Sequence, residues 1–264
     1  MKEITDIQSY SYKFSVCTLV TNLEEYQEMI SSFHQAGFNE NDTEFLFVNN
    51  SISNTKDGYE AYNLFLNQAQ GEYVIICHQD ILLCYDDKKV LETRIEEVEK
   101  LDKNWAILSN AGVIGIKNRA VIFTEANKTK HVEGQFPAKV KSVDECFVVI
   151  KNKHRLAASA NLKGFHLYAT DLCIIADILG YSAYAINFNL LHKSNGNMSN
   201  GFFKSKNEFI EKYSKVLTSK YIQTTCTIMY FSNNPFFKIF YNSSFVLFFV
   251  RNFYSLKKKL KRVK

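Results

Sequence analysis

Several features that define whole classes of proteins are missing from this 264-residue sequence. None of its six cysteines forms a C-x-x-C pair, so zinc ribbons and thioredoxin-like redox motifs have no support. The N-terminal segment MKEITDIQSYSYKF has no apolar centre, so we expect no secretory signal. No apolar run approaches the roughly 20 residues that span a bilayer. Most cysteines lie inside apolar runs, which predicts buried, reduced thiols in a cytoplasmic protein.

A net positive charge is also missing from most of the chain, although the formal net charge of the whole is +5. Residues 251–264 carry seven of the 32 basic residues and no acidic residue, which leaves 25 basic against 27 acidic residues elsewhere. A nucleic-acid-binding body would need a basic face. The composition therefore disfavours nucleic acid as a partner and confines the basic charge to a tail.

Short apolar runs alternate with helical patterns in the first half of the chain. The predicted elements are strands at residues 14–20, 45–49 and 73–77 and helices at residues 24–36, 59–69 and 88–101. Continuous apolar strands separated by helices are typical of βαβ units. We therefore predict an α/β fold with a mostly parallel sheet and helices on both faces.

The pattern is less regular after Trp105. WAILSN, AVIF and CFVVI predict strands, whereas the rest of residues 118–141 is polar and is predicted to be rich in loops. A helix is predicted at residues 168–179, a strand at 183–188 and a helix at 203–217. Since no repeat or low-complexity linker interrupts this order, we predict one domain over residues 1–225.

Residues 226–264 form a different kind of segment, predicted to be an aromatic and basic helical tail. Residues 228–250 are strongly apolar and aromatic, and they lead directly into the basic end. That arrangement favours an anchor on an anionic membrane surface. Two alternatives remain open: a helix docked on the core with a solvated basic end, or a homodimer interface.

Polar clusters follow the first three predicted strands: Thr21-Asn22, Asn49-Asn50-Ser51 and His78-Gln79-Asp80. Open α/β sheets bind ligands beyond the carboxyl ends of their strands, although Asn and Ser are also common turn formers there. Asp80 lies between two apolar runs, where a carboxylate is costly unless it is paired or binds a metal. A functional and a structural role for it are equally open on this observation.

Two further candidates lie downstream. Asp171 is near the start of a predicted apolar helix, where a carboxylate can act chemically or simply complement the helix dipole. His192 precedes a Ser/Asn/Gly loop, and a lone histidine there is more often a loop residue than a ligand.

Together these clusters resemble the family 2-type glycosyltransferases of the GT-A fold. The resemblance covers residues 14–200 and is closest to the bacterial group associated with capsule and other surface-polysaccharide synthesis. Its most specific part is the passage NQAQGEYVIICHQD. It implies a Rossmann-like GT-A sheet, here followed by a C-terminal amphipathic helical extension.

The resemblance also implies roles for individual residues. Asp171 falls at the general base, and Asp80 and His192 fall at metal-binding positions. His166 and Tyr168 lie on the acceptor side. The positions implied for the nucleotide sugar are Thr21, Asn22, Asn49, Asn50, His78 and Gln79.

The implied activity is a metal-dependent inverting glycosyl transfer. The expected donor is a nucleotide sugar, with a UDP-sugar preferred, and the expected ion is Mg²⁺ or Mn²⁺ acting as a Lewis acid. The expected acceptor is a surface polysaccharide or a lipid-linked glycan, modified by a peripheral protein at the inner face of the cell membrane. One carboxylate suffices as base for a single displacement.

The sequence departs from the family pattern at four places, of which the first three motivate a rival function. Asn49-Asn50 replaces an Asp pair, His78 replaces the first acidic metal position, Tyr62 replaces an Arg, and Thr170 replaces an acidic partner of Asp171. The rival is a non-catalytic, membrane-tethered GT-A-like scaffold of a polysaccharide-assembly complex. A nucleotidyltransferase ranks last, because no Gly-rich, basic loop follows the first strand.

Overall fold

A computed structural model of the protein describes residues 9–194, 200–215, 219–232 and 234–261, with only the backbone described at residues 200 and 255–261. Parts of four predicted segments lie outside these residues: the N-terminal segment through Gln8, the loop at 195–199, the end of the helix predicted to reach Leu217, and residues 262–264.

Fifteen strands and seven α-helices form within the described residues. The strands are β1 (Tyr12–Val20), β2 (Thr43–Asn49), β3 (Gly71–Cys77), β4 (Ile81–Leu82), β5 (Trp105–Ser109), β6 (Ala111–Gly115), β7 (Asn118–Glu125), β8 (Lys130–Glu133), β9 (Ala138–Val140), β10 (Ser142–Val143), β11 (Phe147–Lys151), β12 (Ser182–Ala185), β13 (Leu191–His192), β14 (Lys220–Gln223) and β15 (Ile228–Phe231). The helices are α1 (Leu23–Gln35), α2 (Gly58–Gln68), α3 (Lys88–Leu101), α4 (Tyr168–Ile178), α5 (Asn200–Tyr213), α6 (Pro235–Asn242) and α7 (Ser244–Lys261).

The central sheet has seven strands in the order β2-β1-β3-β11-β5-β12-β9. β1 pairs in parallel with β2 and β3, and β12 pairs in parallel with β5. β11 is antiparallel to both of its neighbours, and β9 is antiparallel to β12. Five of the seven strands therefore run in one direction, which confirms the predicted mostly parallel α/β sheet.

Helices cover both faces of this sheet. Tyr26 and Met29 of α1 and Leu91 of α3 join one buried cluster, whereas Phe65 of α2 and Leu172 of α4 join the other. Helix starts are fixed locally, since the side chain of Asn22 accepts hydrogen bonds from the first turn of α1 and Asp57 forms a capping box at α2. The predicted alternation of strands and helices is confirmed for this half of the chain.

The prediction that residues 118–141 are rich in loops is wrong. They contain β7, β8 and β9, and β7 lies in a second sheet with the order β10-β6-β7-β13-β4. In NRAVIFTE, buried side chains alternate with partly or fully exposed ones, so Arg119 and Glu125 lie on the open face of a strand whereas Thr124 is buried. Overall polarity concealed this period of two.

The segment predicted as a helical tail begins differently. β15 forms a hairpin with β14, and Met229 and Phe231 are fully buried in the cluster shared with α2 and α4. α6 and α7 follow, with strongly exposed aromatic side chains. No helix in the described part of the chain has the length and apolar character needed to cross a membrane.

The prediction that the cysteines are buried thiols is confirmed for four residues and is wrong for two. Cys17, Cys77, Cys146 and Cys173 are buried free thiols. Cys84 and Cys226 are also free but exposed, because each lies in a loop beyond the apolar strands.

Candidate active site

Three side chains suited to binding a metal converge beyond the carboxyl end of β3. His78 follows β3 directly, and its backbone N–H donates to the carbonyl of Cys146 just before β11 (3.0 Å). β13 pairs with β4 so that His192 lies opposite Ile81, next to Asp80. One ligand atom from each of His78, Asp80 and His192 lies within 4.8 Å of the others. We call these three residues the His-Asp-His cluster.

Asp80 is the electrostatic centre of the cluster. Its carboxylate lies 3.5 Å from Nε2 of His192 and 3.9 Å from Nδ1 of His78, and it accepts a hydrogen bond from the Ser194 hydroxyl. Burial alone would raise the pKa of Asp80, but His192 and Ser194 outweigh it and hold the pKa well below its usual range. The carboxylate is therefore ionised, as a metal ligand must be.

The two histidines differ in their electrostatics. Burial lowers the pKa of His78. Burial also opposes charge on His192, but the neighbouring Asp80 carboxylate dominates and raises its pKa. Nε2 of His192 is nevertheless buried without a hydrogen-bond partner. An imidazole nitrogen and an ionised carboxylate that lie 3.5 Å apart without a well-formed hydrogen bond fit a cation bound between them.

A cavity of about 700 Å³ adjoins the cluster. His78 and His192 lie in its wall, and Asp144 and Glu145 line it from the segment before β11. His166 lines it from the approach to α4. The cavity is large enough for a small-molecule ligand, and imidazole and carboxylate groups line its wall.

Of the two residues predicted on the acceptor side, one lines this cavity and the other supports the cluster. The ring of His166 packs edge-on against Phe202, with centroids 5.4 Å apart. Tyr168 is buried, and its hydroxyl lies 3.3 Å from Nε2 of His78. Because Nε2 is engaged there, Nδ1 of His78 is the nitrogen left to face Asp80.

Gly58 makes room for Tyr168. A Cβ at this position would lie 2.5 Å from two ring carbons of Tyr168. The ring is also held by Tyr62, with centroids 4.4 Å apart. The first residue of α2 therefore helps to fix a side chain that contacts the cluster.

Asp171 does not lie in the cavity wall, contrary to its predicted role as the base. It is fully buried, and its carboxylate accepts hydrogen bonds from the backbone N–H and the hydroxyl of Ser159 (2.7 Å each) and from the Tyr213 hydroxyl. Nζ of Lys212 lies 3.8 Å away. Asp171 is absent from the residues that line the cavity, and its oxygens are already bonded to three donors. These contacts favour a structural role in which Asp171 holds α4, α5 and the segment around Ser159 together.

The residues predicted to contact the nucleotide lie at the expected strand ends, but most of their polar groups have local partners. Oδ1 of Asn22 caps α1, and Oδ1 of Asn49 accepts from the N–H of Ser51. Asn50 is buried and bonds to Thr55 and Lys56. These side chains act as turn formers that shape the loops, which is the alternative the sequence left open.

The side chain of Gln79 connects the end of β3 with the end of β1 through hydrogen bonds. Its Oε1 accepts from the backbone N–H groups of Thr21 (2.8 Å) and Asn22 (3.0 Å). Its Nε2 donates to the Thr21 hydroxyl and to Glu25, each at 3.0 Å. Gln79 thereby ties the end of β3 to the start of α1 while its neighbours His78 and Asp80 face the cluster.

Sequence reasoning missed Glu145. Its Oε1 is buried without a hydrogen-bond partner, and burial, with a smaller contribution from Asp144, raises its pKa to about 8. The sequence signal was an acidic pair directly before the apolar run CFVVI. The position of Asp144 and Glu145 near the His-Asp-His cluster follows from the antiparallel pairing of β11 with β3, which the sequence does not show.

The sheet order and the cluster at its edge define the class: an α/β protein with a mostly parallel, Rossmann-like sheet and a candidate cation site beyond the end of β3. No protein-family model matches the chain. The protein "ATP synthase subunits region ORF 6" of Fuscovulum blasticum is 32% identical over 222 residues, which cover 80% of this chain and 87% of that protein. The chain belongs to the family of this ORF 6 protein.

Solved structures share the fold at low identity. The mannosyltransferase PcManGT from Pyrobaculum calidifontis, in complex with GDP-Man and Mn²⁺, matches with a TM-score of 0.51 and 11% identity over 81% of this chain and 67% of its own. S. aureus TarS 1-349, in complex with UDP-GlcNAc, matches with a TM-score of 0.49 and 14% identity over 78% of this chain and 68% of its own. The first of these matches confirms the fold.

Proposed function

We propose that the protein is a metal-dependent glycosyltransferase that takes its sugar from a nucleotide-sugar donor. The observation that carries this proposal is the His-Asp-His cluster, whose ligand atoms lie within 4.8 Å of one another at the wall of the cavity. A nucleoside diphosphate leaving group develops negative charge, and a cation at this edge of a GT-A sheet lies where that charge needs stabilisation.

The ligand types favour Mn²⁺ over Mg²⁺. Mg²⁺ prefers oxygen ligands in octahedral geometry, whereas imidazole nitrogen suits first-row transition metals. Two imidazoles and one carboxylate leave further coordination positions for diphosphate oxygens. Nε2 of His192, which lies 3.5 Å from the Asp80 carboxylate and forms no hydrogen bond, supports this assignment. When bound, the ion would supply Lewis-acid stabilisation of the leaving diphosphate.

Residues of the chain hold Asp80 in position and shape the cavity. Ser194 donates to the Asp80 carboxylate, and the backbone N–H of Lys193 donates to the Asp80 carbonyl (2.9 Å), so two consecutive residues hold Asp80 in place. Phe165, His166 and Phe202 also line the cavity, where apolar and imidazole surface suits a sugar ring. We infer a glycan or lipid-linked acceptor there and transfer with inversion by one displacement.

Calorimetric titration of the full chain with UDP and GDP, each with and without Mn²⁺, tests the proposal. We expect Mn²⁺-dependent binding that Asp80→Asn weakens at least tenfold, because the variant removes the anionic ligand from the cluster. The matched control is Asp177→Asn, an exposed acid at the end of α4 that should leave binding unchanged. The two diphosphates also distinguish a uridine from a guanosine donor.

Absence of binding by the wild-type chain, with no turnover of any nucleotide sugar, would instead favour the non-catalytic scaffold. One observation favours the scaffold: the side chains of Asn22, Asn49 and Asn50 accept hydrogen bonds from nearby backbone N–H groups. Since backbone groups can also hold a nucleotide, this observation does not outweigh the cluster.

We further propose that α6 and α7 hold the protein against anionic lipid at the inner face of the cell membrane. Phe236, Phe245 and Phe248 are 66%, 72% and 61% exposed, and no acidic residue interrupts residues 235–264. Exposed aromatic side chains followed by clustered basic residues are typical of interfacial helices.

Flotation with vesicles of phosphatidylserine and phosphatidylcholine tests this placement. We expect binding that falls with salt and with the phosphatidylserine fraction, and that is lost when residues 241–264 are deleted or when Phe245, Phe248 and Phe249 are replaced by Ser. Leu101→Ser removes an exposed apolar side chain elsewhere (61% exposed) and should have no effect. Unchanged flotation of the triple variant would refute the placement, and a shift from dimer to monomer would show that these helices form a dimer interface.

A further inference from the structure

Two adjacent carboxylates, Asp144 and Glu145, lie beside the His-Asp-His cluster. The backbone hydrogen bond from His78 to Cys146 fixes this neighbourhood, because it joins the residue after β3 to the residue before β11. Both carboxylates line the same cavity as His78 and His192. The acidic pair therefore faces the space in which a donor and an acceptor would meet.

The two carboxylates have different surroundings. Oδ1 of Asp144 accepts from the N–H of Cys146 (3.1 Å), and its Oδ2 accepts from the Thr225 hydroxyl (3.3 Å). The carboxyl group of Glu145 lies against the backbone N–H groups of Leu167, Tyr168 and Ala169 at the start of α4, whereas its Oε1 is buried and has no hydrogen-bond partner. A buried carboxylate oxygen without a partner is costly in the resting protein, and a substrate hydroxyl would satisfy it.

We propose that Glu145 is the general base of the sugar transfer, an inference that rests on the proposed glycosyltransferase function. Its carboxylate takes the proton of the acceptor hydroxyl as that oxygen bonds to the anomeric carbon. The bond from the anomeric carbon to the donor diphosphate breaks, and its electron pair leaves with the nucleoside diphosphate. The proton stays on Glu145 until solvent removes it, so one carboxylate completes the step.

The environment of Glu145 suits a base that works near neutral pH. Burial, with a contribution from Asp144, raises its pKa to about 8, while the backbone N–H groups of Leu167, Tyr168 and Ala169 act in the opposite direction. A proton acceptor whose pKa is near the working pH is an efficient general base. The titratable groups that face it are Asp144 on its own segment, Tyr59 and Tyr62 on α2, Tyr168 on α4 and Cys226 after β14.

The variant Glu145→Gln tests this role, because it keeps the size of the side chain and resembles the neutral carboxyl. We expect the release of nucleoside diphosphate from UDP-GlcNAc, UDP-glucose or GDP-mannose with Mn²⁺, with water as acceptor, to fall by about 10²- to 10⁴-fold. The affinity for the nucleoside diphosphate with Mn²⁺ should stay within about twofold, since the base does not touch the metal ligands. Glu96→Gln, an exposed acid on α3, is the matched control.

The pH profile separates a catalytic from a structural role. The base acts in its ionised form, so wild-type turnover should rise with pH up to about 8, and Glu145→Gln should lose this rising limb. If wild-type turnover falls over the same pH range, or if Glu145→Gln is as active as the wild type, Glu145 is not the base, although the proposed glycosyltransferase function can still stand. A wild-type chain that neither binds a nucleoside diphosphate with Mn²⁺ nor releases one from any donor would overturn the proposed function as well.

Discussion

Replacing Glu145 by Gln should change how the stability of the protein depends on pH. In the folded chain, burial and Asp144 raise the pKa of Glu145 from its ordinary 4.5 to about 8. In the unfolded chain the carboxyl has its ordinary pKa. Between these two values the unfolded chain releases a proton that the folded chain keeps. Wild-type stability therefore falls as pH rises from about 4.5 to about 8, and the group has no effect below that window.

The size of the effect follows from the two pKa values. One pH unit inside the window costs the folded state roughly 1.4 kcal/mol of stability. From pH 5 to pH 7 the loss amounts to roughly 2 to 3 kcal/mol. The amide of Glu145→Gln does not titrate, so this loss is absent from the variant. The free energy of unfolding of the variant minus that of the wild type should increase by the same amount.

Urea denaturation at pH 5, 6 and 7 measures this difference directly. Other titrating groups affect both proteins equally, so they cancel when the variant and the wild type are compared at each pH. Glu96→Gln should give a difference from the wild type that does not change with pH, because that side chain is exposed. A difference for Glu145→Gln that stays constant from pH 5 to pH 7 would show that its pKa is not raised and would refute the reasoning.

Three further substitutions test the site by stability and by metal affinity. Asp171→Asn removes a buried carboxylate that accepts from three donors. In urea titrations it should lower the free energy of unfolding by about 3 kcal/mol, and the affinity for nucleoside diphosphate should stay unchanged. A variant that loses activity without losing stability would instead support Asp171 as the base. Tyr168→Phe should weaken Mn²⁺ binding about tenfold in calorimetry, because the hydroxyl near Nε2 of His78 is lost. Gly58→Ala should destabilise the fold by about 1 to 3 kcal/mol in thermal unfolding, since the new Cβ meets the Tyr168 ring.

Local periodicity was enough to predict the first half of the fold. β1, β2 and β3 are continuous apolar runs, and α1, α2 and α3 begin at residues whose side chains cap them. The predicted bounds of α3 match the observed helix Lys88–Leu101. The antiparallel insertion of β11 between β3 and β5 could not be predicted in the same way, because its partners are distant in sequence and CFVVI carries no sign of direction.

The site was predictable where strand ends alone determine it. His78 and Asp80 follow β3, and the resemblance linked them to His192, which the structure places beside them. Asp171, the residue predicted as the base, does not line the cavity, because adjacent helical residues face different directions. Thr170 lines the cavity, whereas Asp171 lies about 100° further round α4 and points into the core.

The His-Asp-His cluster is held in place by Gln79, Thr21 and Asn22, which the sequence analysis predicted to contact the nucleotide-sugar donor. Gln79 makes four hydrogen bonds to Thr21, Asn22 and Glu25, and it separates the two proposed ligands His78 and Asp80 along the chain. Since two of these bonds go to backbone N–H groups at the start of α1, the end of β3 cannot shift without disturbing the first turn of that helix. In the proposed function, the polar residues at this sheet edge would serve binding indirectly, by fixing the loop that carries Asp80.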